Sequence, residues 1–152
     1  MTIEKIILKV SGDLIERKEV LDEIKNFAEQ NSSKIDLIYG FGTRLSKELD
    51  ERKIHYEFRD GIRHTTSKGL KAAFRISEEI REKLEKEFGE YNFHLFSPVK
   101  VINSSITNTN SDEILMKKGK SYDKIIIYAL EGKDKSKFIE KFGEKVEIKY
   151  KK

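Results

Sequence analysis

The sequence predicts an α/β protein, a three-layer α/β/α sandwich around a mainly parallel sheet, in a single compact domain over residues 1–152. Three observations carry this. The apolar residues alternate along the chain between a period of two and a period near 3.6, so strands alternate with helices. The runs Ile6-Ile7-Leu8 and Ile125-Ile126-Ile127 are continuous, as in strands buried on both faces. Successive parallel strands need crossover helices, and these cover the sheet on both sides.

Each element follows from its residues. Residues 3–10 read as a strand broken by Ser11-Gly12-Asp13, after which Val20, Leu21, Ile24 and Phe27 recur at helical spacing. Residues 35–39 form a second strand. Gly40-Phe41-Gly42 turns the chain, and Thr43 is placed to cap a helix bearing Leu45 and Leu49. Residues 54–58 make a short third strand. Thr65 or Thr66 opens the longest helix, whose stripe is Leu70, Ala73, Ile76, Ile80, Leu84 and Phe88, and Gly89 ends it. Strands at 91–96 and 99–102 flank Ser97-Pro98, and a polar loop over 103–110 leads to a helix near 111–118. A strand at 124–130, a helix at 134–142 and a strand at 145–150 complete the order.

Composition removes several classes of function. With no Cys there is no disulfide scaffold and no thiolate zinc site, and three scattered His give no metal-ligand spacing, so no metal-binding residue is assigned. No apolar run approaches the ~20 residues of a membrane helix. The start of the chain lacks a signal-peptide core, which makes a cytoplasmic protein with no membrane partner the expectation. From Ser111 to Lys152 there are 12 Lys against 8 acidic residues, while residues 1–110 hold 19 of each sign. That surplus offers a nucleic-acid surface, but acids interleave with the lysines throughout, which argues for a solvated face instead.

Open parallel sheets bind ligands beyond the carboxyl ends of their strands. The residues there are Lys9-Val10-Ser11-Gly12, Gly40-Phe41-Gly42, Arg59-Asp60-Gly61-Ile62-Arg63, Asn108-Thr109-Asn110-Ser111-Asp112 and Glu131-Gly132. Glycine, cation, amide and carboxylate together make the inventory of a phosphate or small-anion site.

In order and position these segments resemble the amino acid kinase superfamily, which includes acetylglutamate, UMP and isopentenyl phosphate kinases. The family's Lys-x-Gly-Gly is matched by Lys9 to Gly12, and its glycine turn by Gly40 to Gly42. Its Gly-x-Arg-x-Thr is matched by Gly61 to Thr65, its Asn-x-Asn-Ala-Asp by Asn108 to Asp112, and its Asp-Val-x-Gly by Ala129 to Gly132. Ser11, Phe41 and Ala129 depart from these patterns. The stretch between the Arg turn and the Asn/Asp motif is short, and the 20 residues after Gly132 contain no counterpart of the family's second lysine in Gly-Met-x-x-Lys.

The resemblance implies a small-molecule kinase that moves the γ-phosphoryl group of ATP, with Mg²⁺, to a small carboxylate or phosphate acceptor. Lys9 and Asp112 would be catalytic, Lys9 neutralising the moving charge and Asp112 orienting its partners. Gly40, Gly42, Arg63 and Asn110 would bind the acceptor, with Arg63 as a bidentate clamp. Gly12 and Gly132 would bind the nucleotide. One of Lys133, Lys135 and Lys137 would replace the missing lysine. Residues 1–110 would form the acceptor half and 111–152 a reduced nucleotide-binding half. The bland readings are a strand-end lysine, turn glycines, an Arg63 ion pair with Asp60 or Glu57, and an ordinary cap at Asp112. His55 and His94 read as structural, and His64 as solvent-facing. The alternative function is a noncatalytic ligand-binding or regulatory descendant, completed by a homo-oligomer or a partner subunit.

Overall fold

The computed structural model describes residues 4–31, 34–91, 93–102, 105–108 and 110–152. Its elements are β1 (Ile6–Val10), α1 (Lys18–Gln30), β2 (Ile35–Tyr39), α2 (Gly42–Glu51), β3 (Tyr56–Arg59), β4 (Ile62–Thr65), α3 (Ser67–Phe88), β5 (Phe93–Phe96), β6 (Val99–Ile102), β7 (Ser105–Asn108), α4 (Ser111–Lys118), β8 (Lys124–Leu130), α5 (Ser136–Phe142) and β9 (Val146–Lys151). Ile3 of the first expected strand, residues 103 and 104 of the expected loop, and Thr109 of the Asn-x-Asn segment lie outside the described residues.

Five strands form one sheet in the order β5-β2-β1-β8-β9, and every pairing in it is parallel. The sheet divides two apolar layers. Ile6, Leu8 and Val10 of β1 pack with Val20 and Ile24 of α1, Leu45 and Leu49 of α2, and Ile76, Ile80 and Leu84 of α3. Ile7, pointing the other way, packs with Ile125 and Ile127, Leu115 of α4 and Phe138 of α5. The protein is therefore a three-layer α/β fold with a mainly parallel sheet. Its central strand is buried on both faces, which is why it opens as the continuous apolar run Ile6-Ile7-Leu8. Ion pairs lace the outside of the helical layer. Arg44 reaches Glu16 at 3.4 Å and also Glu79, Arg75 bridges Glu79 at 3.0 Å and Glu48, and Arg52 joins Glu48 at 3.2 Å.

Two hairpins stand outside the sheet, and both differ from expectation. The segment read as a strand with an arginine turn is the antiparallel pair β3-β4. Asp60 and Gly61 turn it with φ of 52° and 78°, the left-handed conformation that a type I′ two-residue hairpin turn needs at both positions. The polar loop expected over 103–110 contains β7, which pairs antiparallel with β6. Its polar residues obscure the period, and the pairing is long-range information. Thr43 is not a cap: α2 begins at Gly42 behind Phe41, and the Thr43 hydroxyl donates to Asp13. Thr66 does cap α3, accepting from the Gly69 amide at 3.2 Å. Among the described residues no helix is long and apolar enough to cross a membrane.

The turns after β1 and β2 meet backbone to backbone. A Cβ on Gly40 would lie 2.9 Å from the Gly12 nitrogen, and one on Gly12 would lie 2.8 Å from the Gly42 nitrogen. Gly40→Ala is therefore expected to destabilise the protein by about 1–3 kcal/mol, the usual range for overpacking. Urea denaturation checks this, and an unchanged midpoint would show that the two turns separate at no cost.

Candidate functional site

The carboxyl ends of β1, β2 and β8 lie side by side because the strands are parallel. The connection after β1 runs to α1 on one face, and that after β8 runs to α5 on the other. Adjacent strands whose connections leave in opposite directions open a crevice at their ends. The turns are pinned there: the Ser11 amide donates to the Tyr128 carbonyl at 3.2 Å and the Gly40 amide to the Val10 carbonyl at 2.9 Å.

Lys9 sits at the base of this crevice and is only 2% exposed. Strand alternation sends its side chain to the α4/α5 face, opposite to Leu8 and Val10. Its Nζ lies 2.6 Å from Oδ1 of Asp112, in the first turn of α4. Lys135 and Lys137 approach the same carboxylate at 3.2 and 3.0 Å. One carboxylate thus serves three ammonium groups. Burial lowers the pKa of Lys9, with Lys135 and Lys137 adding to that effect and Asp112 opposing it. Burial pushes Asp112 upward, but the lysines outweigh it and hold the carboxyl well below the usual range. The sequence offered three lysines after β8; geometry selects Lys135 and Lys137, whereas Lys133 lines a hollow near Gly12.

Arg63, on β4, is 7% exposed. Its guanidinium lies over the rings of Tyr56 and Phe58, 4.5 and 4.6 Å from their centroids. Nη2 donates to the Gly42 carbonyl at 3.1 Å and to Ser46 Oγ at 2.7 Å. Nη1 is buried and has no hydrogen-bond partner among the described residues. Among the described residues no carboxylate lies within ion-pair distance of it; Glu57 pairs with Arg59 instead. Burial lowers its pKa, against the effect of the Tyr56 hydroxyl and Asp50. Ser11 Oγ, at the same end of the sheet, is likewise buried and unpartnered. The aromatic pair was missed from the sequence, although Tyr56-x-Phe58 has the spacing that puts both rings on one side of a strand.

A cavity of about 140 Å³ lies between these parts, lined by Gly40, Phe41, Gly42, Leu45, Phe58, Gly61, Arg63, Pro98, Asn110 and Ser111. Gly42 is the first residue of α2, so the unpaired amides of that helix's first turn adjoin the cavity. Asn110 borders it, but both ends of its amide are engaged: Oδ1 caps α4 at the Asp112 nitrogen (2.7 Å), and Nδ2 donates to the Gly61 carbonyl (2.7 Å). Gly12 and Gly40 are needed for the contact between their turns. Gly132 has φ +90°, and a Cβ there would meet nothing within 4 Å among the described residues, which makes it a turn glycine. The structure therefore gathers Lys9 and Asp112 into one cluster, and Gly40, Gly42, Arg63 and Asn110 around one cavity. Gly132 lines neither.

No protein-family model matches the chain, and no curated protein matches it in sequence. Solved structures do match in fold. N-acetylglutamate synthase from Neisseria gonorrhoeae complexed with coenzyme A and L-arginine has a TM-score of 0.67 at 10% identity, covering 82% of this chain and 43% of that one. The same synthase with coenzyme A and N-acetyl-glutamate gives 0.68 at 12%, covering 83% and 41%. The protein smu.665 from Streptococcus mutans UA159 gives 0.62 at 14%, covering 81% and 71%. The chain thus spans less than half of the synthase's length, and at these identities the likeness concerns the fold alone.

These findings correct the kinase expectation. The two synthase complexes hold coenzyme A and not ATP with Mg²⁺, so assignment to the amino acid kinases, γ-phosphoryl transfer, nucleotide binding and the ATP–Mg²⁺ cofactor pair are withdrawn. The physical reason lies in the motifs. A lysine or glycine turn at a strand end marks the ligand edge of any parallel sheet, and five such short signals do not define a reaction. Among the described residues no three His, Cys, Asp or Glu side chains cluster as metal ligands.

Asp112→Asn would leave the buried Lys9 ammonium beside two further cations. The expected loss is about 3–5 kcal/mol at pH 7, read as a fall in melting temperature and largely recovered by adding Lys9→Met. The pH dependence has a definite sign. A carboxyl depressed below its unfolded value of about 3.9 stabilises the fold above that pH and ceases to do so as pH falls through the folded value. Asp112→Asn should therefore flatten the acid limb of the stability profile below about pH 4, and an unchanged limb would remove Asp112 from the account.

Proposed function

We propose that the chain binds a small carboxylate-bearing metabolite in the cavity between α2 and the β3-β4 hairpin. The buried Arg63 guanidinium, with Nη1 unpartnered and no carboxylate of its own among the described residues, carries this reading. A buried charged donor left unsatisfied is costly. A carboxylate matches the fork of a guanidinium, and the first amides of α2 favour negative charge as well. The excess of cations around Asp112, whose neighbour Ser111 lines the cavity, extends the same electrostatic preference. The molecules named with the synthase complexes fit that chemistry: L-arginine and N-acetyl-glutamate carry carboxylates, and coenzyme A carries phosphates.

The coenzyme A of those complexes favours a second reading, acyl transfer. It ranks behind binding because, among the described residues, the cavity lining includes no carboxylate, imidazole or amine to accept a proton from an attacking amine.

Calorimetric titration with N-acetyl-glutamate, L-arginine, coenzyme A and inorganic phosphate tests the proposal. A carboxylate ligand should bind the wild type and bind Arg63→Gln about ten- to a hundredfold more weakly, the range for a charged hydrogen bond. Equal affinity in a folded Arg63→Gln would sink it. Protein-dependent release of free thiol from acetyl-coenzyme A in the presence of L-glutamate would promote the second reading over the first.

A further inference from the structure

The sheet ends at β9 with nothing beyond it among the described residues. This is a six-residue strand, Val-Glu-Ile-Lys-Tyr-Lys, with one free backbone edge. The Glu131 amide donates to the Lys151 carbonyl at 2.8 Å, so Lys151 faces β8. By the alternation of a parallel ladder Glu147 and Lys149 also face β8, while Val146, Ile148 and Tyr150 present their backbone carbonyls outward. Exposed edges of this kind are templates for another strand.

We propose that two copies of the chain associate through β9, antiparallel about a two-fold axis at Ile148, into a ten-stranded sheet. The pattern of the strand is complementary to itself in this register. Val146 falls opposite Tyr150 of the second copy and Ile148 opposite its twin, each a hydrogen-bonded position. Glu147 falls opposite Lys149 at a position where side chains approach more closely. On the apolar side of the strand Tyr150 is 43% exposed, and on α5, which covers that face, Ile139 is 50% exposed. Lysines on an edge usually deter pairing. Here Lys149 and Lys151 lie 3.7 and 2.6 Å from Glu23 of their own chain, and Glu147 of the second copy answers Lys149. The interface is isologous and closes on itself, so it gives a dimer and not a fibre.

Sedimentation velocity tests this with paired charge reversals. The wild type should sediment at twice the chain mass of 17.8 kDa. Glu147→Lys places lysine against lysine, and Lys149→Glu places glutamate against glutamate. Each alone should dimerise at least about tenfold more weakly, since two attractive pairs become repulsive. An equimolar mixture of the two variants restores opposite charges at both pairs and should sediment as the dimer again. A wild type that stays monomeric at all concentrations, a dimer indifferent to either reversal, or a mixture that fails to recover would each overturn the proposal. Concentration-dependent protection of the Ile148 and Tyr150 amides from hydrogen exchange gives the same answer in the wild type, should a variant not fold.

Discussion

An ammonium group in the middle strand of a five-stranded sheet has to be answered by a carboxylate, and much of the molecule is arranged by that requirement. Lys9 is flanked by β2 and β8 and has lost its water. Asp112 supplies the answering charge, which fixes the start of α4 over the carboxyl end of the sheet. The α4 start is capped by Asn110, whose other end holds the carbonyl of Gly61 at the tip of the β3-β4 hairpin. That hairpin carries Arg63, and Arg63 in turn grips Gly42 and Ser46 of α2. A single line of polar contacts therefore runs from the sheet centre through a helix cap and a hairpin to a second helix. The cavity is the space this line encloses.

Arg63 shows why such a site is held open. Its cation is desolvated against two rings, an arrangement in which cation–π attraction replaces part of the lost hydration. Two of its donors' partners belong to α2, and Nη1 has none. The fold thus keeps a charge in place with an unmet demand, which is preorganisation of the kind that lowers the cost of binding.

Much of the fold was legible because its core obeys simple periods. The buried strands β1 and β8 announce themselves as apolar runs, and the stripe of α3 from Ala73 to Phe88 repeats at helical spacing. What the sequence hid was pairing between segments of weak pattern. β3, read as a strand over 54–58, pairs with β4, and β6 with β7; each is four residues long, so which segments pair rests on the partner and the turn, with Asp60-Gly61 as the sign of one hairpin. At the site, Lys9, Arg63 and Asp112 stood at strand and helix ends where the topology gathers them. Which lysines join Asp112, and that Arg63 is buried with no acidic partner among the described residues, depend on distances that no local pattern encodes. The same limit explains the kinase expectation: strand-end motifs mark the carboxyl edge of the sheet, while a reaction depends on what fills it.

The pairing of β1 with β8 also sets how late in synthesis the sheet can close. Lys5, just before β1, donates its amide to Asp123, 118 positions later, and β1 lies fully buried between β2 and β8. During synthesis β2 follows β1 within some thirty residues, but β8 leaves the ribosome only after both hairpins, α3 and α4. Until then Ile6-Ile7-Leu8-Lys9-Val10 has one naked edge and one naked face, and its lysine has no carboxylate until α4 arrives. The apolar strand β1 therefore stays unprotected until the segment from α4 to β8 has been made, and that segment both closes the sheet and neutralises its centre.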